Sequence, residues 1–300
     1  MTERHFRTDL AAENFPSGRG LPRDAGYRTE SVGGFTVERM RLSESSGRAF
    51  GKPAGNYTTI SFGRIGELSD REFSELCDLL SSELTAYVKR VTGKSVGNGL
   101  GVLVAGLGNA KMTPDAVGPG SVARLNATRH LADAEPELFS RLGCAKLSAV
   151  APGVLGQTGI EASRLILGAT EAAGPDAVIA IDALAAGSCE RLFSTVQLCD
   201  SGIAPGSGIG NRRSELSLRT LGVPVIALGV PTVVDSSTLV TDALGKAGFS
   251  EIPESLSEVL ESGKSYFVSP KDCDALIRSL CRLFATAINR AFGVDLGQDL

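Results

Sequence analysis

Two aspartates stand where an apolar chain would place chemistry. Asp115 lies in Gly106-Leu-Gly-Asn-Ala-Lys-Met-Thr-Pro-Asp115-Ala-Val-Gly-Pro119, a loop following the apolar run that ends near Leu107. Asp182 ends the run Ala177-Val-Ile-Ala-Ile-Asp182. A carboxylate at the end of such a strand is costly unless it faces a crevice or a partner. In open α/β sheets the ligand crevice lies at the carboxyl ends of the strands. Two juxtaposed carboxylates do not both ionise easily, so one keeps its proton near neutral pH. The ionised member activates water while the protonated member polarises a carbonyl. Plainer roles fit the same residues: Asp115 follows Pro114 and suits the start of a helix, and Asp182 suits the turn after its strand. With a third ligand the pair would instead hold a divalent metal, and spacing does not choose among these.

Histidine scarcity narrows the chemistry further. Only His5 and His130 occur in 300 residues. A serine or cysteine triad needs a histidine base, and His130 falls in a predicted helix, four residues after Asn126, where packing or solvent explains it. The usual motifs fail on inspection. Gly106-Leu-Gly108 lacks the third glycine of a dinucleotide fingerprint, since position 111 is Lys111. Gly93-Lys94-Ser95 and Gly263-Lys264-Ser265 resemble a P-loop tail, but Val88 and Glu258 stand where its first glycine belongs. HExxH is absent, and Gly206-Ser207-Gly208 is not a GxSxG elbow. The six cysteines form no CxxC pair, so zinc-site spacing is missing and reduced thiols are expected.

The elements that must position the aspartates are legible from pattern. Apolar β-rich runs at Gly101–Leu107, Ala145–Val150, Ala177–Ile181, Ser194–Leu198 and Val223–Val230 have no wet face, as in sheets covered on both sides. Helical stretches at 121–132 and 160–173 lie between them, the second with a Thr158/Glu161 capping box. This alternation predicts a doubly wound, mostly parallel α/β sheet with flanking helices. Ser69 and Glu72 box the start of a helix carrying Phe73, Leu76, Leu80, Leu84 and Val88, and Gly93 suits its end. A last helix runs from Pro270, capped by Ser269, to about Phe292. Residues 1–35 are rich in Arg, Gly and Pro and read as an extended or poorly ordered arm. Short strands at Thr36–Arg41 and Tyr57–Ser61 make a small β-containing appendage.

Composition supplies the exclusions. The chain is 42% hydrophobic and 21% charged, enough for a full core. A net charge of −4 argues against direct nucleic-acid binding. No apolar run is long enough to span a membrane, and Met1–Leu10 lacks the apolar core of a secretory signal.

Across most of its length the chain resembles the germination protease family of spore-forming bacteria. The likeness rests on Arg7-Thr-Asp-Leu-Ala-Ala-Glu13, Gly51-Lys-Pro-Ala-Gly-Asn-Tyr57, the 106–119 loop, Ala149-Val-Ala-Pro-Gly-Val-Leu-Gly156, Ile179-Ala-Ile-Asp-Ala-Leu-Ala-Ala186, the 200–211 stretch, and Pro224-Val-Ile-Ala-Leu-Gly-Val-Pro-Thr-Val-Val-Asp235. It implies an α/β fold shared with hydrogenase-maturation peptidases, and an endopeptidase with catalytic aspartates at Asp115 and Asp182. It implies a homotetramer in the forespore or spore core, cytoplasmic in origin, acting on small acid-soluble spore proteins at germination. Substrate sites of the family resemble Thr/Ser-Glu-apolar-Ala-x-Glu, and Thr8-Asp-Leu-Ala-Ala-Glu13 is similar. Self-cleavage between Asp9 and Leu10 follows, with 1–9 a propeptide and 10–300 a single peptidase domain whose residues 10–65 form the arm and short strands. The stretch between Asp242 and Ser269 is shorter than in Bacillus-type members. Lesser candidates are Asp235, a third carboxylate or a helix cap, and Asp200 and Asn211, which flank a glycine-rich loop. Glu161 is explained by its capping box, and Lys111 by solvent. No cofactor is required, although a divalent metal fits. The alternatives are a metal-dependent processing peptidase and a non-catalytic protein that binds spore proteins.

Overall fold

The computed structural model describes residues 8–14, 24–206, 214–249, 255–256, 259–260 and 266–294. Its frame is one mixed sheet whose central strands follow the predicted apolar runs, whereas Gly26–Val32, inside the stretch expected as an arm, and Phe267–Val268 are strands that the pattern does not predict. The strands are β1 (Gly26–Val32), β2 (Phe35–Leu42), β3 (Gly55–Ser61), β4 (Gly101–Gly106), β5 (Lys146–Val150), β6 (Ala177–Ala186), β7 (Thr195–Cys199), β8 (Val225–Asp235) and β9 (Phe267–Val268). The order is β1-β2-β3-β7-β8-β6-β4-β5, with β9 on β8. Strands β5, β4, β6 and β8 are mutually parallel. The remaining pairings are antiparallel.

The parallel half is buried on both faces because alternate residues serve different cores. Val102, Val104, Ile179 and Ile181 pack with Leu76, Leu80, Leu84, Leu280, Phe284 and Ile288 of the helices Asp70–Thr92 and Cys273–Ala291. Leu103, Ala105, Val178 and Ala180 pack on the opposite face with Ile166 of the helix Ala162–Ala173 and with Leu221. Period-2 alternation between two apolar environments is what an all-apolar strand requires.

Three expectations change in detail. The N-terminal strands are not an appendage. They continue the same sheet through β3–β7 pairing, as an antiparallel wing whose outermost strand, β1, is exposed along its whole length. The helix expected over 121–132 is broken into Val117–Val122 and Arg129–Ala134. Its middle leaves the helix because Thr128 completes the edge of β5: its amide donates to the Leu147 carbonyl at 2.9 Å, and its hydroxyl accepts from the Leu147 amide at 3.0 Å. The last helix begins at Cys273 rather than Pro270, and Ser269 donates to the Thr232 carbonyl instead of capping it. The Ser69/Glu72 box and the left-handed Gly93 are present as predicted.

Among the described residues no helix is long and apolar enough to cross a membrane. Leu280 is fully buried between the two long helices and the sheet. Leu280→Ala removes that packing and leaves a cavity. We expect a loss of about 2–5 kcal/mol, read as a lower urea midpoint with an unchanged denaturant slope.

Candidate active site

Asp115 and Asp182 border one cavity of 220 Å³ at the carboxyl edge of the parallel strands. Each gets there by a specific backbone device. Strand β4 ends with Gly106 opposite Ile181, whereas β6 runs on through Asp182 to Ala186 alongside β8. Asp182 is therefore mid-strand, 5% exposed, on an edge that β4 no longer covers. The run Ala183-Leu-Ala-Ala186 has little β-propensity, which is why its continuation was not predicted.

Asp115 is brought back to that edge by a tight return. A Cβ on Gly106 would sit 2.3 Å from the Gly118 carbonyl oxygen, and one on Gly108 would sit 2.0 Å from the Asp115 carbonyl oxygen. Gly108 also has φ of +110°, open only to glycine. The two glycines that suggested a dinucleotide loop serve close backbone approach instead. The Asp115 carboxylate accepts from the Asn109 amide at 2.7 Å. Asn109 in turn accepts from Gln157 at 2.6 Å, tying the loop to the turn Leu155–Thr158.

A third carboxylate on the cavity wall escaped the sequence reading. Glu161 lines the cavity beside Asp115 and Asp182. The capping box assigned to it does not form: Glu161 is the N-cap of Ala162–Ala173 without a side-chain cap bond, and the Thr158 hydroxyl pairs locally with Ile160. The local pattern of a capping box is identical whether or not the preceding turn closes elsewhere, so no sequence signal separated the two. Among the described residues, no group of three or more His, Cys, Asp or Glu gathers as a metal ion would need.

The other candidates lie apart from the two aspartates. Asp235 is the N-cap of Ser236–Lys246, accepting from the Ser237 amide at 2.9 Å. Asp200 accepts from the backbone and side chain of Asn56, both at 2.7 Å, and fastens β3 to the end of β7. Asn211 is outside the described residues. The start of its loop does border the groove, through Pro205 and Gly206. His130 and Lys111 are exposed and do not line the cavity.

The largest departure from expectation is the arm. Residues 8–13 are not exposed: they fill the groove next to Asp182, with Leu10, Ala11 and Ala12 buried. The Asp9 amide donates to the Ala185 carbonyl at 2.9 Å, and the Asp9 carboxylate accepts from the Ala185 amide at 2.9 Å. Asp9 thus takes part of the β6 edge that β4 vacates, and it lines the same cavity as Asp115 and Asp182. Leu10 packs with Leu184, Ala186 and Val234. Ala11 packs with Met40, Tyr57 and Cys199. Burying Leu10 alone is worth about 1.5–3 kcal/mol, which explains why a segment of polar composition docks.

Glu13 closes the docked segment on itself. Its Oε2 accepts from the Thr8 hydroxyl and from the Gly187 amide, the latter at 2.7 Å. Its Oε1 is buried without a hydrogen bond. Burial raises the Glu13 carboxyl above its ordinary value of 4.5, against the opposing pull of Thr8, Gly187, Arg191 and Lys52. A raised carboxyl pKa stabilises docking fully below the free value and loses that contribution as pH rises through the docked value. Protection of the 8–14 amides from hydrogen exchange should therefore weaken from mildly acidic to alkaline pH. Glu13→Gln should flatten that dependence, and an equal slope in both proteins would contradict it.

Comparison with known proteins adds the following. The family model described as Germination protease matches residues 23–247. The chain is 40% identical to the Germination protease of Priestia megaterium over 238 residues, covering 79% of this chain and 63% of that protein. It is 37% identical to that of Bacillus cytotoxicus over 319 residues, covering 89% and 86%. It is 35% identical to that of a Geobacillus species over 321 residues, covering 89% and 85%.

Proposed function

The chain belongs to the germination protease family, a family of peptidases, and from that premise we propose that it is an endopeptidase which opens the degradation of small acid-soluble spore proteins at germination. We propose further that residues 1–9 are a propeptide, removed by the protein itself between Asp9 and Leu10. One observation carries this reading: Asp9 lines the cavity bordered by Asp115 and Asp182, and the next residue, Leu10, packs with Leu184 of the strand that carries Asp182. A merely surface-exposed arm would be cut by any protease. A segment with Leu10 at 0% exposure is shielded from outside enzymes and accessible to its own groove.

The chemistry follows from the two environments. Asp182 is buried and Asp115 is half-buried on the same cavity. We propose that the two carboxylates share a proton rather than both ionising. The ionised member takes a proton from water as its oxygen attacks the Asp9 carbonyl carbon. The protonated member serves as the acid that delivers a proton to the departing Leu10 nitrogen. Family membership supports the remaining proposals: spore-protein substrates, a homotetramer, and residence in the forespore or spore core.

The test is intact mass over time at mildly acidic pH for the parent, Asp115→Asn and Asp182→Asn, with a parallel chelator sample. Each substitution should slow loss of residues 1–9 by about 10²–10⁴-fold, and the chelator should do nothing. Processing of both variants at the parent rate would refute the catalytic assignment. Arrest by chelator alone would put the metal-dependent peptidase in its place.

A further inference from the structure

We propose that Lys52 and Gln197 are the carbonyl-binding pair of this active site, holding the oxygen of the peptide to be cut and taking up the negative charge that develops on it. The inference rests on the reading of Asp9–Leu10 as the cleaved bond. With the protonated aspartate assigned to the departing nitrogen, the carbonyl oxygen needs other partners, and the structure equips it with two donors. The Asp9 carbonyl accepts from Lys52 Nζ at 2.9 Å and from Gln197 Nε2 at 3.3 Å.

Both donors are held in place by further contacts. The Gln197 amide is oriented by its own oxygen, which accepts from the Ala11 amide at 2.6 Å, so that its nitrogen faces Asp9. Gln197 is 7% exposed and sits on β7 between Thr59 of β3 and Gly229 of β8. Lys52 also donates to the Thr8 carbonyl at 3.1 Å. Its backbone amide donates to the Gly47 carbonyl at 2.9 Å, and a Cβ at Gly47 would come within 2.6 Å of the Lys52 carbonyl oxygen, so the turn that presents Lys52 is closely packed. Lys52, Gln197, Asp9 and Asp182 border a second cavity of 240 Å³ that adjoins the first at Asp9 and Asp182. The donors and a candidate catalytic carboxylate therefore border the same space as Asp9.

The electron balance gives the pair its task. As water oxygen bonds to the Asp9 carbonyl carbon, the π pair moves onto the carbonyl oxygen and one water proton passes to the ionised aspartate. The carbon–nitrogen bond then breaks, the pair on oxygen re-forms the double bond, and a proton is delivered to the Leu10 nitrogen. The products are an Asp9 carboxyl and a Leu10 amine. The charge on oxygen exists only between these events, and fixed donors in a site shielded from water stabilise it there most strongly. Burial under the arm pushes the Lys52 ammonium below its ordinary value, while Asp9, Cys199 and Glu13 pull it back up. A cation held at this cost, 2.9 Å from one carbonyl, is used where it stands.

The experiment follows self-cleavage of the full chain by intact mass for the parent, Lys52→Met, Lys52→Arg and Gln197→Met, and follows hydrogen exchange of residues 8–14 in the same samples. Lys52→Met should cut the rate about 10²–10³-fold, the usual consequence of removing one such donor, with the arm still protected. Lys52→Arg should recover part of the loss, and Gln197→Met should slow cleavage by about tenfold or more. Cleavage of Lys52→Met at the parent rate would overturn the inference and leave the peptidase reading intact. Loss of arm protection in step with cleavage would also overturn it, making Lys52 an anchor. A parent that never cleaves at Asp9–Leu10 would remove the self-processing reading and this inference with it.

Discussion

The site depends on how closely one loop folds back onto its own strand. Between Gly106 and Gly118 the backbone returns so tightly that a single Cβ at Gly106, Gly108 or Gly118 would overlap a carbonyl oxygen at 2.3 Å or less. This contact ends β4 at Gly106, and the Leu107 amide then seals the turn onto the Ile181 carbonyl at 2.8 Å. It also returns Asp115 to the edge that its own strand has just left. Were β4 to continue two residues further, Asp182 would be covered by a neighbouring strand and the arm would have no edge to occupy. Close backbone approach, which only glycine permits, converts a fully paired central strand into one with a usable carboxyl end.

That dependence explains what was legible in the sequence and what was not. The apolar runs of β4 to β8 marked a covered sheet, and the ends of two of them marked Asp115 and Asp182, because burial on both faces leaves an unmistakable composition. Asp235 was weighed between cap and site, and its bond to the Ser237 amide makes it a cap. Glu161 was misread because the pattern of a capping box is local while its failure is not: Thr158 is spent on the preceding turn. Docking of the arm was suggested only by its likeness to a cleavage site, and its contacts could not be read from the sequence, for the same kind of reason. Thr8 to Glu13 has no period, and its burial comes from residues far along the chain: Ala185, Gly187 and Gln197.

The two halves of the sheet divide the labour. The parallel half, covered by helices on both faces, supplies rigid strand ends for the aspartates. The antiparallel wing supplies the opposite wall of the groove, with Lys52 just before β3 and Gln197 on β7. Strand β8 joins them, parallel to β6 on one side and antiparallel to β7 on the other. The N-terminal strands, expected as a peripheral appendage, thus help wall the groove that holds the arm. This also gives a use to the 51–57 stretch, which carried family likeness without an evident role.

A tethered segment that occupies its own groove sets a condition on everything else that binds there. Linked ends act at an effective concentration in the millimolar range for short flexible connections. The arm adds to that the burial of Leu10 and backbone bonds from Asp9, Ala11 and Thr8 to the frame. On the proposed reading, a free protein substrate making the same contacts at lower concentration is excluded for as long as the arm is attached and docked. Cleavage between Asp9 and Leu10 removes the bond that holds Thr8 and Asp9 in register with Leu10, so the contacts on its two sides no longer reinforce one another. On the proposed reading, inhibition and activation are then one interaction seen before and after a single hydrolysis. The features that make the arm a good inhibitor, a buried Leu10 and a held Asp9 carbonyl, are the ones that make it a good first substrate.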